Sequence, residues 1–450
     1  MTQIRMAPFA VVLSIALASH ASFAQDTTSL TAPGRVITLD EAIRIALEQN
    51  STVRFARNSA SLDSLTVRQF KNQFLPNLSA SSQSSQGYGS RSAGQNTFGT
   101  NVGLSSGVTL YNGRQNINSL REAELYLRAS GQDLGRTRQT IVFVVASDFL
   151  NLITQQELLR VQQENLVAQE EQLTQLEAFA RAGTRNIGDL YQQQAATASA
   201  RLAVATARRA TELAKVDLIQ ELVLDPRRDY QFEAPRPQAD TGRRPDFNLD
   251  SLMNVALQRR ADIQAQLLRV EAAQREIQVA EGGRLPVVSA SVGFGSGFST
   301  AVDGNFAAQL DQRRGGSIGV GVSLPIFDRG AVSIARQRAQ IQLENEALLL
   351  RDEMQTVALE VRRAYLDYQS AQEQLTAADA QQKAAALALE ATQARYRVGL
   401  ATFVEVTLAR ATLVQAQSAV VNARASLTFQ RALMSYYTGE IDAENLRIVR

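Results

Sequence analysis

The chain is written twice. "TLDEAIRIALEQN" at Thr38 returns as "NLDSLMNVALQRR" at Asn248, about 210 positions on, and "LPNLSASSQ" at Leu75 returns as "LPVVSASVG" at Leu285 with the same shift. Further on, "VTLYNGR" at Val108 answers "VSLPIFDRG" at Val322. Two glycine-centred stretches close the series, "FARAGTRNIGDLYQQQAA" from Phe179 and "RYRVGLATFVEVTLARAT" from Arg395. A tandem duplication means that each copy is one structural unit and that the two stack to make the fold. It divides the chain into a first repeat over residues 25–223, a connector over residues 224–248 and a second repeat over residues 249–450. The connector is rich in Pro and charge, which argues against a helix there.

Each copy carries the same expected order. A helix of about 35 residues spans Thr38–Phe74, or Leu249–Gly283 in the second copy, and Asp40 and Asp250 stand where an N-cap belongs. Two short alternating segments follow. Next comes a helix of about 70 residues, Arg114–Ala182 or Ala331–Val398, and after a glycine a last helix, Ile187–Leu222 or Phe403–Tyr437. Within a copy the two shorter helices together match the long one, about 100 Å at 1.5 Å per residue, and are expected to stack end to end beside it.

The long helices carry narrow apolar seams. Val357, Val361, Ala364, Tyr368 and Ala371 alternate in spacings of four and three, and Leu152, Leu159, Leu166 and Leu173 recur every seven residues. Such spacing gives a left-handed supercoil. The remaining faces are polar, as in "TQQELLRVQQENLVAQEEQLTQ", whereas a solid bundle needs a wider apolar stripe. A wall one helix thick, wetted on both sides, fits better.

The alternating segments are the membrane signal. In "GGSIGVGVSLPIFDRG", Ile318, Val320, Val322, Leu324 and Ile326 alternate with small or polar residues, and Val102, Leu104, Val108 and Leu110 keep the same phase. Apolar residues alternating with small or polar ones over about ten positions mark a strand of an outer-membrane barrel, though an ordinary soluble hairpin has the same pattern. Turns into and out of these strands fall at Pro76, Pro286, Pro325, Gly113 and Gly330. Four strands enclose no lumen, and lipid tolerates no open edge. Several copies must therefore join, and three would supply twelve strands.

Composition removes other classes. Forty-six Lys and Arg against 44 Asp and Glu leave a net charge of +2, with no basic patch for nucleic acid. There is no cysteine, and the single histidine, His20, lies within "MTQIRMAPFAVVLSIALASHASFAQ". That stretch is expected to be an export signal over residues 1–24, because its apolar run is too short to span a bilayer. No cofactor or metal site is expected. A hydrolase using only carboxylates would have to place them on exposed, Gln-rich helices with no Trp to hold a substrate. A periplasmic coiled-coil adaptor or tether also uses long hairpins, but only once per chain.

The duplicated halves, the "LP" leading into each strand pair, "PIFDRG" at Pro325–Gly330 and "VGLATFVEVTLARA" from Val398 to Ala411 resemble the TolC-like outer membrane factors. The resemblance covers essentially the whole chain past residue 24. It implies a mainly α fold with β: long antiparallel coiled-coil helices forming an α-barrel, and four strands per chain contributing to a trimeric 12-stranded outer-membrane β-barrel. It further implies a homotrimer embedded in outer-membrane lipid and reaching into the periplasm, with the connector in an equatorial collar. The function implied is an exit duct, not an enzyme, of a tripartite efflux or type I secretion system. Its partners are then a periplasmic adaptor and an inner-membrane transporter. Gly183 and Gly399 become the hairpin turns, and Asp189 and Glu405 line the periplasmic aperture with Arg185 and Tyr396. Asp189 and Glu405 also suit a simpler task, complementing the dipole of the helix that each one opens.

Overall fold

The computed structural model describes residues 36–87, 97–183, 186–233 and 248–441. The export signal expected over residues 1–24, Arg185 and residues 234–247 of the connector lie outside them.

The first repeat runs β1 (Val36–Ile37), α1 (Leu39–Gln49), α2 (Ser51–Asn72), β2 (Asn77–Gly87), β3 (Thr97–Asn112), α3 (Gln115–Arg181) and α4 (Ile187–Glu221). After β4 (Gln231–Phe232), the second runs α5 (Leu249–Arg259), α6 (Ala261–Gly282), β5 (Val287–Ser299), α7 (Phe306–Gln312), β6 (Gly315–Ser323), α8 (Ala331–Arg397) and α9 (Phe403–Tyr437). The helices of the two copies match in length. α1 and α5 have 11 residues each, α2 and α6 have 22, α3 and α8 have 67, and α4 and α9 have 35.

The expected 35-residue first helix is in fact two. It breaks at Asn50 (φ −60°, ψ 130°) and, in the second copy, at Arg260 (φ −62°, ψ 129°). Asn50 caps α2 by accepting from the Thr52 N–H at 2.8 Å, and its amide donates to Glu221 Oε1 at 2.9 Å. That contact brings the end of α4 to the α1–α2 junction, so the shorter helices do stack end to end along α3. Asp40 and Asp250 are not caps. Thr38 and Asn248 accept the capping bonds, and the two acids sit in the first turn, where they complement the helix dipole.

Side by side, the helices form one layer. α3 packs against α2 and α4 on one flank and α6 and α9 on the other, and α8 packs beyond α6 and α9. The layer thickens at mid-height. There Ile43, Val142, Val145, Phe149, Leu218 and Leu222 form the main core, sealed by Tyr230 and Phe232 of the connector, while β4 lies parallel to β1. The second copy has its own smaller core of Ala256, Ile263, Val357 and Val361. Arg260, only 3% exposed, ties the α5–α6 junction to α8 within the second copy by donating to Asp262 at 2.6 Å and Glu360 at 2.5 Å. Arg136 of α3 reaches the same Asp262 at 3.3 Å. Burial alone would raise the Asp262 carboxyl, but the bonds and charge of Arg260, with Arg136, hold it below its ordinary value.

Below mid-height the seam narrows as expected, with Ala371, Ala378 and Ala385 buried against Ala416, Val420 and Ala423. In the first copy the seam is not the leucine heptad. Leu159, Leu166 and Leu173 stay half-buried, and the buried positions are Val161, Gln169 and Leu176, facing Gln193, Thr197 and Ala200. Gln193 donates to the Gln169 backbone oxygen at 2.7 Å and to its side-chain oxygen at 2.8 Å, so this polar pair is satisfied.

The strands form one antiparallel sheet in the order β2-β3-β5-β6. α7, which the sequence does not announce, caps the end of β5 where β6 has stopped. Gln309 of α7 is 2% exposed; it accepts from Ser299 N at 2.9 Å and donates to Ser299 O at 3.1 Å, standing in for a missing strand.

Candidate functional site

The two ends of the molecule carry different chemistry. At the helical end each long hairpin reverses at a glycine in the left-handed region, Gly183 (φ 68°) and Gly399 (φ 81°), with open space around both. The returning helices start on equivalent caps, Asn186 and Thr402, and Asp189 and Glu405 are the equivalent third residues of α4 and α9.

Their surroundings differ. Glu405 turns inward on its own hairpin. It closes a capping box by accepting from the Thr402 N–H at 2.9 Å, while Thr402 Oγ1 accepts from the Glu405 N–H at 3.3 Å. Arg395 Nη1 lies 3.5 Å from the same carboxylate. The hydrogen bonds from the Thr402 backbone and hydroxyl, with Arg395 behind them, hold the Glu405 carboxyl below its ordinary value. Asp189 instead reaches across to the other hairpin. Its Oδ2 accepts from the hydroxyl of Tyr396, in the last turn of α8, at 3.1 Å. The Tyr396 ring rests 5.8 Å from that of Phe403, which is buried.

Among the four residues assigned to the aperture, Asp189 and Tyr396 are therefore in contact, Glu405 stands apart with Arg395, and Arg185 lies outside the described residues. Arg395 was missed. Its signal was the "RYRVG" run, in which two arginines flank Tyr396 just before the turn. Between the hairpins lies a cleft of about 480 Å³, lined by Glu171, Phe179, Tyr396, Arg397 and Arg410 among others.

At the sheet end the two faces differ. One carries Leu78, Val102, Leu104, Phe294, Ile318, Val320 and Val322, all exposed. The other carries Ser79, Ser81, Gln83, Gly103, Ser105, Ser291, Ser317 and Gly319, with no charged residue in the described strands. Pro76 and Pro286 immediately precede β2 and β5, and Pro325 lies two residues past β6. Gly113 (φ 65°) ends β3 so close to α6 that a Cβ would stand 2.2 Å from the Gly282 carbonyl oxygen, and Gly330 (φ 80°) opens α8. No described helix is long and apolar enough to cross a membrane. The apolar strand face is the surface suited to lipid.

Similarity to known proteins agrees with both ends. The family model described as outer membrane efflux protein matches residues 42–222 and 252–440. Outer membrane efflux protein BepC of Brucella suis is 26% identical over 91% of this chain and 87% of its own. In fold, the chain is similar to the outer membrane protein VceC of Vibrio cholerae, with a TM-score of 0.74 at 18% identity over 89% of this chain and 96% of that one. It is equally similar to the CmeC outer membrane channel of Campylobacter jejuni, with a TM-score of 0.74 at 18% identity over 90% and 87%. The chain belongs to the outer membrane efflux protein family and is an outer-membrane channel protein.

Proposed function

We propose that three copies of this chain close a twelve-stranded β-barrel in the outer membrane and a twelve-position helical barrel across the periplasm, forming a passive exit duct. The observation that carries this is the sheet itself: two edges, β2 and β6, that no strand among the described residues pairs, one apolar face and one face of Ser, Gly and Gln. An open edge cannot stand in lipid, and a polar face suits a water-filled bore. The duct serves a tripartite efflux or type I secretion system, receiving cargo from an inner-membrane transporter through a periplasmic adaptor. Residues 1–24 direct export, residues 25–223 and 249–450 are the two repeats, and residues 224–248 join them at mid-height.

In this proposal the hairpin ends form the periplasmic aperture. Threefold symmetry turns Asp189 and Glu405 each into a ring of three carboxylates, which favours cations at the mouth. The bond from Tyr396 to Asp189 holds the two hairpins of a chain together at that mouth and so resists its widening. Planar-bilayer recordings test both roles. Asp189→Ala with Glu405→Ala should weaken cation selectivity and block by divalent cations, and Tyr396→Phe should raise the open fraction. Recordings identical to the parent channel would remove the aperture role.

A further inference from the structure

We infer the residue-by-residue register with which β6 of one copy meets β2 of the next; the inference rests on the trimeric duct proposed above. Its basis is the duplication combined with one junction that the chain already contains. α1, α2 and the start of β2 recur in α5, α6 and β5 at an offset of 210 residues, while α3 and α4 recur in α8 and α9 at 216.

The hairpin registers obey the same two offsets. Asn77 faces Gly107 in the first copy, and Val287 faces Ser323 in the second. The six extra residues of the second copy therefore lie wholly in the loop that carries α7. Structurally, Val108 corresponds to Leu324 and not to Val322, the match that the sequence suggests. The paired left-handed residues before the long helices, Gly113–Arg114 and Arg329–Gly330, keep the same offset.

The β3·β5 junction inside the chain is thus the template for the β6·β2 junction between chains, because β6 is the copy of β3 and β5 is the copy of β2. In that junction Gly103 faces Gly295, Ser105 faces Gly293, Ser106 faces Val292 and Gly107 faces Ser291. Carried over, Gly319 of one copy faces Ser85 of the next, Gly321 faces Gln83, Val322 faces Ser82 and Ser323 faces Ser81.

This register accounts for two otherwise awkward features. The upper lipid-side positions of β2 are Ser82 and Ser84, small polar residues in what should be an apolar belt. The register seats them against Val322 and Val320, each 69% exposed in the lone chain, with Val102 already opposite Ser82 on the other flank. Small side chains between branched ones fill such a surface. Past Ser323, Pro325 falls on the counterpart of Thr109, at the edge of the irregularity between Thr109 and Tyr111 in β3. A residue without an N–H is tolerated at a bulge.

Cysteine pairing tests it, since the chain has no cysteine of its own. Ser323→Cys with Ser81→Cys in the full-length protein should give a covalent trimer under mild oxidation, seen on non-reducing gels. Its yield should exceed by tenfold or more that of Ser323→Cys with Ser79→Cys or with Gln83→Cys. Gly107→Cys with Ser291→Cys, the template pair within one chain, should close in every case and reports that the thiols are reactive. Cross-linking that is strongest in either offset pair overturns the register while leaving the trimer standing. If the control closes in an intact trimer and none of the three pairs links, β6 does not meet β2 and the inference fails. A monomer by native mass would remove the duct proposal, and this register with it.

Discussion

Glu122 shows how single carboxyls in the helical layer respond to their neighbours. Half-buried on α3, it is raised to about 7, first by burial and then by the charge of Glu276 on α6. Asp148 is raised to about 6 by burial, with Glu221 and Asp217 adding to it. A carboxyl whose folded pKa is raised binds more protons in the folded than in the unfolded state between the two values. Stability then falls as pH rises from about 4.5 to about 7. Glu122→Gln removes that dependence, so its unfolding temperature should exceed the parent's at pH 8 and match it near pH 4. Thermal melts of the detergent-solubilised protein across that range measure the difference. Asp262 has the opposite sign. Its depressed pKa stabilises the fold above the ordinary carboxylate range, and that contribution disappears as acid protonates it.

At the scale of elements, the breaks at Asn50 and Arg260 matter most. Neither "EQNSTVRF" nor "QRRADIQ" contains Gly or Pro. In the first copy Asn50 supplies a local cap for α2 through the Thr52 N–H, whereas Arg260 makes no side-chain cap bond. The polar side chain at each junction also finds a partner on a distant helix, Glu221 for Asn50 and Glu360 for Arg260. Asn50→Ala removes both the cap and the tie to Glu221. It should cost about 1 kcal/mol or somewhat more, read as a lower denaturation midpoint. The same logic separates Asp189 from Glu405. They occupy equivalent turns, yet Glu405 is held by its own Thr402 and Arg395, and Asp189 by a tyrosine on the other hairpin.

For the whole molecule, the two faces of the sheet give the sharpest expectation. Val320 lies mid-strand on the apolar face and Ser317 on the polar face of the same strand. Val320→Arg should cost about 2–4 kcal/mol in the membrane and deplete the protein from the outer-membrane fraction. Ser317→Arg should leave insertion intact and alter conductance only. Equal loss of both variants from the membrane would mean that neither face looks into a bore.

The amino-acid sequence by itself determined the duplication, the long hairpins with their glycine reversals, and the alternation that gives each strand an apolar and a polar side. These are local: periodicity and left-handed turns are properties of adjacent residues. Tertiary structure alone decided which distant partners meet the junctions at Asn50 and Arg260, which seam of α3 is buried, that α7 covers the end of β5, and that Tyr396 meets Asp189. Each of those depends on a partner tens to hundreds of residues away, and on which polar groups are left for it to satisfy once the helices are laid side by side.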